Sequence, residues 1–492
     1  MTNRIFRQAT QKFKVDADLS LADTYAALEF YYHNNGMYVL LQQDLMANGI
    51  WTEGMMGLRN PAHRVVEFYV AKLWAGQLPA ALPIVSDNTR IAEPIQQIWK
   101  WSNWGAKKQV AARYLACYGD LFIKVASSGL PGAPDKVYLQ VIRPAHVTEI
   151  KADERDFLTF VRIDIPQTLT ENGRAKKVYH TEIWDKAAQF YRQWASDGPG
   201  VSIDRLGRPM VETPFANFGI DFIPIVHAKF QDIGEPRGMG AFTHALDKID
   251  EANRMATRLH QLLFRFNDVT WAVTANAMDA AGRPLPAPSI NLDGKTVTDD
   301  YLTQVSTGTK VARMPGNSKL ESLVPDLHYD EALSILQDMM KELEADLPEM
   351  TYFRLLDAGQ DLSGKAIRYM LSGAVDKVLE ARGNAESALA RADAIALTMA
   401  AQLELEGFTG FGTYEAGDFE HAFGERSVIP LSEAEKRENS EADLRLGASK
   451  KTVLTALGYD ADKEMAQRKQ ETSDLGNKLL ADFEKGDNQD EA

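Results

Sequence analysis

The chain has 492 residues, of which 45% are hydrophobic and 25% charged, and it carries a formal net charge of −15. This length predicts about two to four domains or subdomains, and the composition excludes a fibrous or wholly disordered protein. The excess of acidic residues argues against tight binding along a DNA backbone, because that affinity comes from Lys and Arg displacing counterions. It does not exclude a protein past which DNA slides, since an acidic wall holds DNA weakly.

Cysteine content and hydropathy set further limits. The single cysteine, Cys117, excludes an intrachain disulfide framework and any site built from several cysteines, and we expect it to be a buried packing residue. Residues 1–20 lack the continuous apolar stretch of a signal peptide. No segment approaches the ~20 apolar residues that cross a bilayer. We therefore expect a protein that is made in the cytoplasm and has no membrane contact.

The first part of the chain, to about Gly119, predicts helices. One helix begins after Asn60-Pro61 and ends at Gly76, and a second covers Glu93 to Cys117. The second helix carries a stripe of tryptophans: Trp99, Trp101 and Trp104. Such a stripe is either a stacking platform for bases or buried packing, and the lack of an accompanying basic cluster favours packing.

From Asp120 to about Ala228 the pattern changes to short β-branched and aromatic runs between turn residues. The predicted strands cover 121–125, 137–142, 160–165, 177–184, 189–194 and 223–226. Asn172-Gly173 predicts a tight hairpin, because both residues tolerate the positive φ angles of a two-residue turn. We expect a β-rich domain here.

Two helices then bracket a segment rich in Pro, Gly, Thr and Ser. The first runs from Ala241 to Phe266, about 39 Å at 1.5 Å per residue, and the second from Tyr329 to Leu347 with leucines at heptad spacing. Between them, Asp293-Gly294 predicts a hairpin joining Ile290–Leu292 to Thr296–Thr298. The arrangement is that of a stalk carrying a small β-rich tip.

The remainder of the chain is mostly helical in pattern. Residues 348–363 break the periodicity and predict a polar loop, and then apolar residues and alanines alternate steps of four and three from Ile367 to Met399. We expect one very long helix there, kinked at Gly373 or Gly383, and packed on neighbouring helices rather than in a solitary coiled coil. Residues 407–430 predict loop and short strand, and 431–472 predict short charged helices, one of them capped by Ser449. The acidic last ~20 residues predict disorder.

No motif for catalysis, metal binding or cofactor binding emerges. Residues 359–366 have the spacing of a phosphate-binding loop but end in Ala366, where a magnesium-binding Ser or Thr is required; we interpret Ser363 as a helix N-cap instead. The nine histidines are scattered, without zinc-protease spacing, and no nucleophile elbow occurs. Asp299-Asp300 is interpreted as a solvated turn. We expect a structural protein rather than an enzyme.

Four stretches in this order resemble the portal proteins of tailed bacteriophages, over nearly the whole chain. They are Asn60-Pro61 through Gly76; Tyr118-Gly119-Asp120 with Leu121–Val125 and Val141–Val147; Ile223–Val226 with Gly238-Met239-Gly240 and Leu246–Asn253; and Leu362-Ser363-Gly364-Lys365-Ala366-Ile367-Arg368-Tyr369. One departure is Arg237-Gly238-Met239-Gly240, where many relatives carry a polar Ser-Asp type of sequence. It leaves the subfamily open.

The resemblance implies an α+β fold, the portal fold, with a mixed wing, a two-helix stem, a β-rich clip, a long kinked helix and a helical C-terminal crown. The implied domains are wing 1–239, first stem helix 240–267, clip 268–326, second stem helix 327–347, tunnel loop 348–363, wing 364–429, crown 430–472 and a disordered acidic tail 473–492.

The resemblance also implies function. Portals are rings, usually dodecamers, at one capsid vertex, and DNA passes through them during packaging and ejection. The implied partners are other copies of the chain, double-stranded DNA, the large terminase that supplies the energy, a head-tail adaptor, and the major capsid and scaffolding proteins. The expected location is the virion, reached through the host cytoplasm. Rival interpretations are another virion structural or adaptor protein, and an uncharacterised hydrolase built on the β-rich part.

Two sets of residues are the expected channel contacts. In the tunnel loop they are Tyr352, Phe353, Arg354 and Gln360. On the second stem helix they are Asp338, Lys341, Glu342 and Glu344. The periodicity does not determine which face of that helix points into the channel.

Overall fold

A computed structural model gives the architecture of the chain. It describes residues 21–33, 60–76, 78, 82–128, 135–171, 174–267, 271–274, 281, 302–304, 310–312, 319–322, 329–357, 364–411, 419–429, 433–457 and 461–472. Two compact units divide the chain: Met1–Gly359 with Leu371–Arg426, and Gln360–Met370 with Ser427–Ala492. The fold is mixed helix and sheet, as expected. Among the described residues no helix is both long and apolar enough to cross a lipid bilayer.

The first unit begins with helices. They are α1 (Leu21–His33), α2 (Ala62–Lys72), α3 (Ala92–Trp101) and α4 (Trp104–Tyr118). The single helix predicted from Glu93 to Cys117 is therefore wrong: the chain breaks at Asn103, whose φ of 50° is left-handed. Asn tolerates that conformation better than most residues. The Ser102 hydroxyl ends α3 by donating to the carbonyl of Ile98 at 2.6 Å.

Antiparallel strands follow. They are β2 (Asp120–Ser128), β3 (Lys136–Ile142), β4 (Val147–Ala152), β5 (Leu158–Glu171), β6 (Arg174–Asp185), β7 (Phe190–Ser196), β8 (Val211–Pro214) and β9 (Ile225–Lys229), with β1 (Ile84–Val85) before them and a one-turn helix α5 (Ile203–Leu206) after β7. Within the described residues they form a three-stranded sheet in the order β3-β2-β9 and a five-stranded sheet in the order β4-β5-β6-β7-β8. Glu171 at the end of β5 pairs with Arg174 at the start of β6, and Asn172-Gly173, where a hairpin turn was predicted, lie outside the described residues.

The core of this unit lies between the three-stranded sheet and helices on one side. Leu121, Phe122 and Ile123 of β2 are fully buried. The sheet packs against α3, α4 and a 31-residue helix, α10 (Ser372–Gln402), about 47 Å long. The alanines of α10 face this core, so that the helix lies close to the strands.

Between sheet and long helix the chain forms a two-helix arm. Helix α6 (Leu246–Asn267) and helix α7 (Tyr329–Asp346) confirm the two predicted helices to within a few residues. Strand β10 (Trp271–Thr274) pairs with β13 (Lys319–Ser322), and β11 (Leu302–Gln304) with β12 (Lys310–Ala312). A β-containing insert between the helices is thus confirmed. The hairpin predicted at Asp293-Gly294 lies outside the described residues.

Two predictions about the segment after the arm need correction. Residues 349–357 form a helix, α8 (Glu349–Asp357), where a loop was expected, because its side chains pack on α2 of the distant N-terminal part. The long helix begins later than predicted: α9 (Gly364–Met370) is separate, and Leu371, with φ −100° and ψ 10°, precedes α10. The sequence gives no sign of this break, because the apolar residues keep their heptad spacing on both sides of Leu371. Helix α10 runs through Gly383.

The last elements include a short strand and charged helices. Strand β14 (Ala422–Phe423) pairs with β1 in the first unit. The second unit contains α9, α11 (Glu433–Arg445), α12 (Lys450–Ala456) and a helix α13 over 461–472. The Ser449 hydroxyl accepts from the backbone N–H of Thr452 at 3.1 Å, which confirms the predicted cap. The predicted acidic tail, 473–492, and the predicted cap Ser363 lie outside the described residues.

Candidate channel site on the two-helix arm

The two helices of the arm meet through an apolar seam. Ala256 and Leu259 of α6 pack with Leu336 of α7 in a buried cluster. This is the contact that the leucine spacing of α7 predicts, since residues three and four apart share one helix face. Leu343 and Leu347, at the C-terminal end of α7, are also buried.

Ionic contacts also join the two helices at the base of the arm, where α6 begins and α7 ends. Lys248 of α6 reaches Glu342 at 2.9 Å and Asp346 at 2.7 Å, both on α7. Hydrogen bonds from Lys248 to Asp346 and Glu342 raise the pKa of its ammonium group. His244, just before α6, donates from Nε2 to the carbonyl of Asp346 at 3.0 Å. The base of the arm is therefore held by charge as well as by apolar packing.

The four predicted stem residues divide into two kinds. Asp338 and Lys341 form an ion pair at 2.9 Å on the outward face of α7, with side chains 67% and 70% exposed. Glu342 belongs to the Lys248 contact. Glu344 pairs with Arg354 of α8 at 2.7 Å. Among the described residues Asp338 and Lys341 pair with each other, and Glu342 is equally exposed, at 66%, although it also reaches Lys248, so these three side chains lie on the outer side of α7.

Helix α7 is strongly acidic. It carries six carboxylates and one lysine in 18 residues. On its flank a cavity of about 350 Å³ is lined by Leu333, Leu336, Gln337, Met340, Lys341 and Glu344. The helix thus combines a net negative charge with a partly apolar flank.

Three of the four predicted tunnel residues lie on α8, and two of them contact α2. The Tyr352 ring stands 5.5 Å from the Phe68 ring and 5.0 Å from the Lys72 ammonium group. The guanidinium of Arg64 lies 5.9 Å from the Phe353 ring. Both aromatic residues are half-buried, while Arg354 is exposed. The structure thus brings Tyr352, Phe353 and Arg354 together on one short helix, and Gln360 lies outside the described residues.

Glu349, at the start of α8, is a buried residue that sequence reasoning missed. Its side chain has no exposure, it accepts a hydrogen bond from the Tyr69 hydroxyl, and Lys377 of α10 lies 3.8 Å away. Lys377 also donates to the carbonyl of Asp346 at 3.0 Å, at the end of α7. The spacing of the sequence gives no signal for this contact, because an acid in the first turn of a helix is ordinary. Here it ties α8 to α2 and α10.

Residues considered for other chemistry have structural roles in the described part of the chain. Cys117 is buried, and burial raises the pKa of its thiol, so it is an inert packing residue. Trp99 and Trp104 are buried, and the half-buried Trp101 packs on Phe408 with ring centroids 5.6 Å apart, which confirms packing over base stacking. Within the described ranges, no three His, Cys, Asp or Glu side chains lie close enough together to hold a metal ion.

The likenesses to known proteins are among solved structures. No model of a protein family matches the chain, and no curated protein matches it. A chain from the virion of a native gene transfer agent (GTA) particle aligns at 13% identity and a TM-score of 0.40, over 85% of this chain and 98% of that one. A chain from the neck of an empty GTA particle, with C6 symmetry, gives 13% and 0.42, over 85% and 93%.

A third solved structure, the neck of a native GTA particle with C12 symmetry, aligns at 12% identity and a TM-score of 0.36, over 86% of this chain and 99% of that one. All three TM-scores lie below 0.5 and all three identities below 25%. These likenesses do not establish a shared fold.

Proposed function

We propose that this chain is a portal-type subunit of a phage-like virion, which forms a ring that double-stranded DNA crosses during packaging and ejection. The observation that carries the proposal is the order of elements in the first unit. A β-rich body leads into helix α6, paired strands and helix α7, and then into α8 and the 31-residue α10. A two-helix arm with paired strands between its helices is what the resemblance implies for a stem and clip.

The charge of the arm supports a channel wall. In a ring, the outward face of α7 with Asp338 and Lys341 would line the lumen, and its excess of carboxylates would repel phosphates and let DNA slide. Glu342 and Glu344 would contribute to the same negative potential while they hold the arm together. Arg354, with Tyr352, Phe353 and Gln360, would provide a contact to DNA at the inner end of the arm.

Ring closure needs two different complementary surfaces on each subunit, because a cyclic interface is head-to-tail. The flank of α7 around Leu333 and Met340 is the surface we propose for one side of this interface. The large terminase, the head-tail adaptor, and the major capsid and scaffolding proteins would be the further partners. The site of action would be the portal vertex of the virion, reached through the host cytoplasm.

The first test is the mass and shape of the purified full-length chain, by native mass spectrometry and negative-stain imaging. A ring of about twelve copies with a central hole is the expected result. Met340→Glu should reduce ring formation, because it places a charge in the flank, whereas the outward Asp338→Asn should assemble normally. A compact monomer that hydrolyses a substrate would overturn the proposal.

A further inference from the structure

A segment of the first unit just before residue 427 is clamped along the long helix α10. We name residues 419–426 the strap. On one side it pairs with β1 and its flanks: Gly424 donates its N–H to the carbonyl of Pro83 at 2.8 Å, and the Ser86 hydroxyl donates to the carbonyl of Glu420 at 2.8 Å. Strand β14 is the centre of this segment.

On its other side the strap contacts successive turns of α10. Arg426 pairs with Glu386, and its carbonyl accepts from Nη1 of Arg382 at 2.6 Å. One end of the strap is thus fixed by a charged pair and a main-chain hydrogen bond. The other end depends on a different contact, between His421 and Asp393.

His421 and Asp393 form a buried pair whose geometry determines where the protons are. Both side chains are fully buried, with Nε2 of His421 3.5 Å from Oδ2 of Asp393. Nδ1 of His421 lies 2.9 Å from the carbonyl of Phe419. Because a carbonyl only accepts, Nδ1 must carry a hydrogen. The other carboxylate oxygen accepts from Nε1 of Trp99 at 3.0 Å.

The Nε2 and Oδ2 atoms have no hydrogen-bond partner other than each other among the described residues. With Nδ1 already protonated, a neutral His421 presents a lone pair at Nε2 to the carboxylate, which is repulsive. The pair is stable only with one more proton between them, either as imidazolium and carboxylate or as neutral imidazole and carboxylic acid. Both of these states are neutral overall, which suits a buried site.

We propose that His421 and Asp393 are a proton-dependent clasp, which holds the strap on α10 while the pair retains this shared proton and releases it when the proton passes to solvent. A cavity of about 480 Å³ is lined in part by His421, and the proton would leave through it. Loss of the proton leaves a buried, uncompensated carboxylate, which favours opening.

Other charged groups lie near the pair. Asp87, Arg391 and Glu420 line the cavity, and Arg391 lies over the Phe157 ring at 3.8 Å. Glu386 and Arg426 neutralise each other further along α10. Burial raises the pKa of Asp393. Burial opposes the charge on His421, but the hydrogen bond and charge of Asp393 outweigh it, so the pKa of His421 is raised.

The direction of the pH effect follows from the proton count. In the open strap, His421 titrates near its ordinary pKa of 6.5 and Asp393 near 3.8, so above pH 6.5 the open state holds one proton fewer than the closed state. The opening equilibrium should therefore rise about tenfold per pH unit from pH 6.5 until the closed pair itself loses its proton. Below pH 6.5 this dependence should flatten.

Hydrogen–deuterium exchange of the full chain tests this between pH 6 and pH 9. Peptides covering 419–426 should lose protection about tenfold per pH unit above pH 6.5, after correction for intrinsic exchange, while peptides from β3, which contains no His, Asp or Glu, should not. Asp393→Asn should remove the slope, because its amide can donate to neutral His421 and still accept from Trp99. The exposed His63→Gln should keep the slope.

Two results would overturn the proposal: a strap whose protection in the unmodified chain does not change with pH, or an equal slope in Asp393→Asn. If Asp393→Asn does not fold, the slope of the unmodified chain decides the question alone. The measurement does not depend on ring formation or DNA transport, so failure of the clasp and failure of the proposed portal role are distinguishable.

Discussion

Arg354 donates from Nη1 to Oε2 of Glu344 at 2.7 Å, joining the helix after the arm to the second helix of the arm. Glu344 lies on α7 and Arg354 on α8, with the Leu347-Pro348 turn between them. This pair holds the turn on its solvent side, and the buried Glu349 holds it on the side of the core. The basic group expected to meet DNA is thus held against an acidic helix in the isolated chain.

Replacement of Arg354 by Glu should impair DNA packaging and retention with little loss of fold stability. The Arg354 side chain is 54% exposed, and exposed ion pairs contribute about 0–1 kcal/mol, so the melting temperature should fall by no more than about 4 °C. Packaged DNA per particle, measured by nuclease protection, should fall severalfold. Arg354→Lys should retain most of it, and unchanged packaging in Arg354→Glu would count against the DNA contact.

Glu349→Ala should loosen α8 without unfolding the body. The change leaves the Tyr69 hydroxyl buried without its acceptor and removes the carboxylate beside Lys377, and a buried hydrogen bond to a charged group contributes about 1.5–3 kcal/mol. Exchange of amides in 349–357 should accelerate, whereas amides of β2 should keep their protection. Glu349→Gln, which can still accept from Tyr69, should be milder. Equal exchange in Glu349→Ala and the unmodified chain would contradict this role.

Much of the fold could be predicted from local patterns. The seam leucines of α7 repeat at helical spacing, so the helix predicted from Tyr329 was confirmed. Asn172-Gly173 predicts antiparallel pairing of the strands on either side, and the register of β5 with β6, from Phe160 with Asp185 to Glu171 with Arg174, confirms that pairing. In both cases the determining interactions lie within a few residues along the chain.

The rest depends on contacts between distant parts of the sequence. Helix α8 was predicted as a loop, because the aromatic partners that stabilise it lie on α2: Tyr352 packs on Phe68. Glu349 and Tyr69 are 280 residues apart, and no spacing rule connects them. The break at Asn103 was missed because the apolar pattern continues across it while the backbone turns left-handed.

The stability of the first unit should fall at acid pH partly through Glu67. Hydrogen bonds from Arg113, at 2.7 and 2.9 Å, lower the pKa of this carboxyl below its ordinary 4.5, against the effect of burial. A lowered folded-state pKa gives stability that is present above pH 4.5 and lost as the pH falls through the folded value. Both side chains are about one-third exposed, so the contribution is small, about 0.5–1 kcal/mol.

Urea unfolding between pH 3 and pH 7 measures this contribution. Glu67→Gln should be less stable than the unmodified chain at pH 7 and should converge with it at pH 3. The exposed Glu93→Gln, on α3, is the matched control and should follow the unmodified chain throughout. A constant difference between Glu67→Gln and the unmodified chain at every pH would show that the change acts through packing instead.

Arg382 should be among the most costly residues to replace in the first unit. It is only 5% exposed, and its guanidinium donates to three main-chain carbonyls: Leu73 at 3.0 Å, Lys72 at 2.7 Å and Arg426 at 2.6 Å. Two of these carbonyls end helix α2, whose last C=O groups have no partner within the helix. The same side chain thus closes α2 and holds the strap on α10.

Arg382→Met keeps the length of the side chain and removes all three donors. The buried Leu73 carbonyl left without a partner costs about 1–3 kcal/mol, and the two part-buried carbonyls add less each. The free energy of unfolding should therefore fall by about 2 kcal/mol or more, which denaturant titration measures. Arg382→Lys should recover part of this loss, because an ammonium group reaches some but not all of the three carbonyls in place of the planar fork. If Arg382→Met and Arg382→Lys were equally stable, the charge of Arg382 and its hydrogen bonds would be irrelevant and its aliphatic stem would account for its burial.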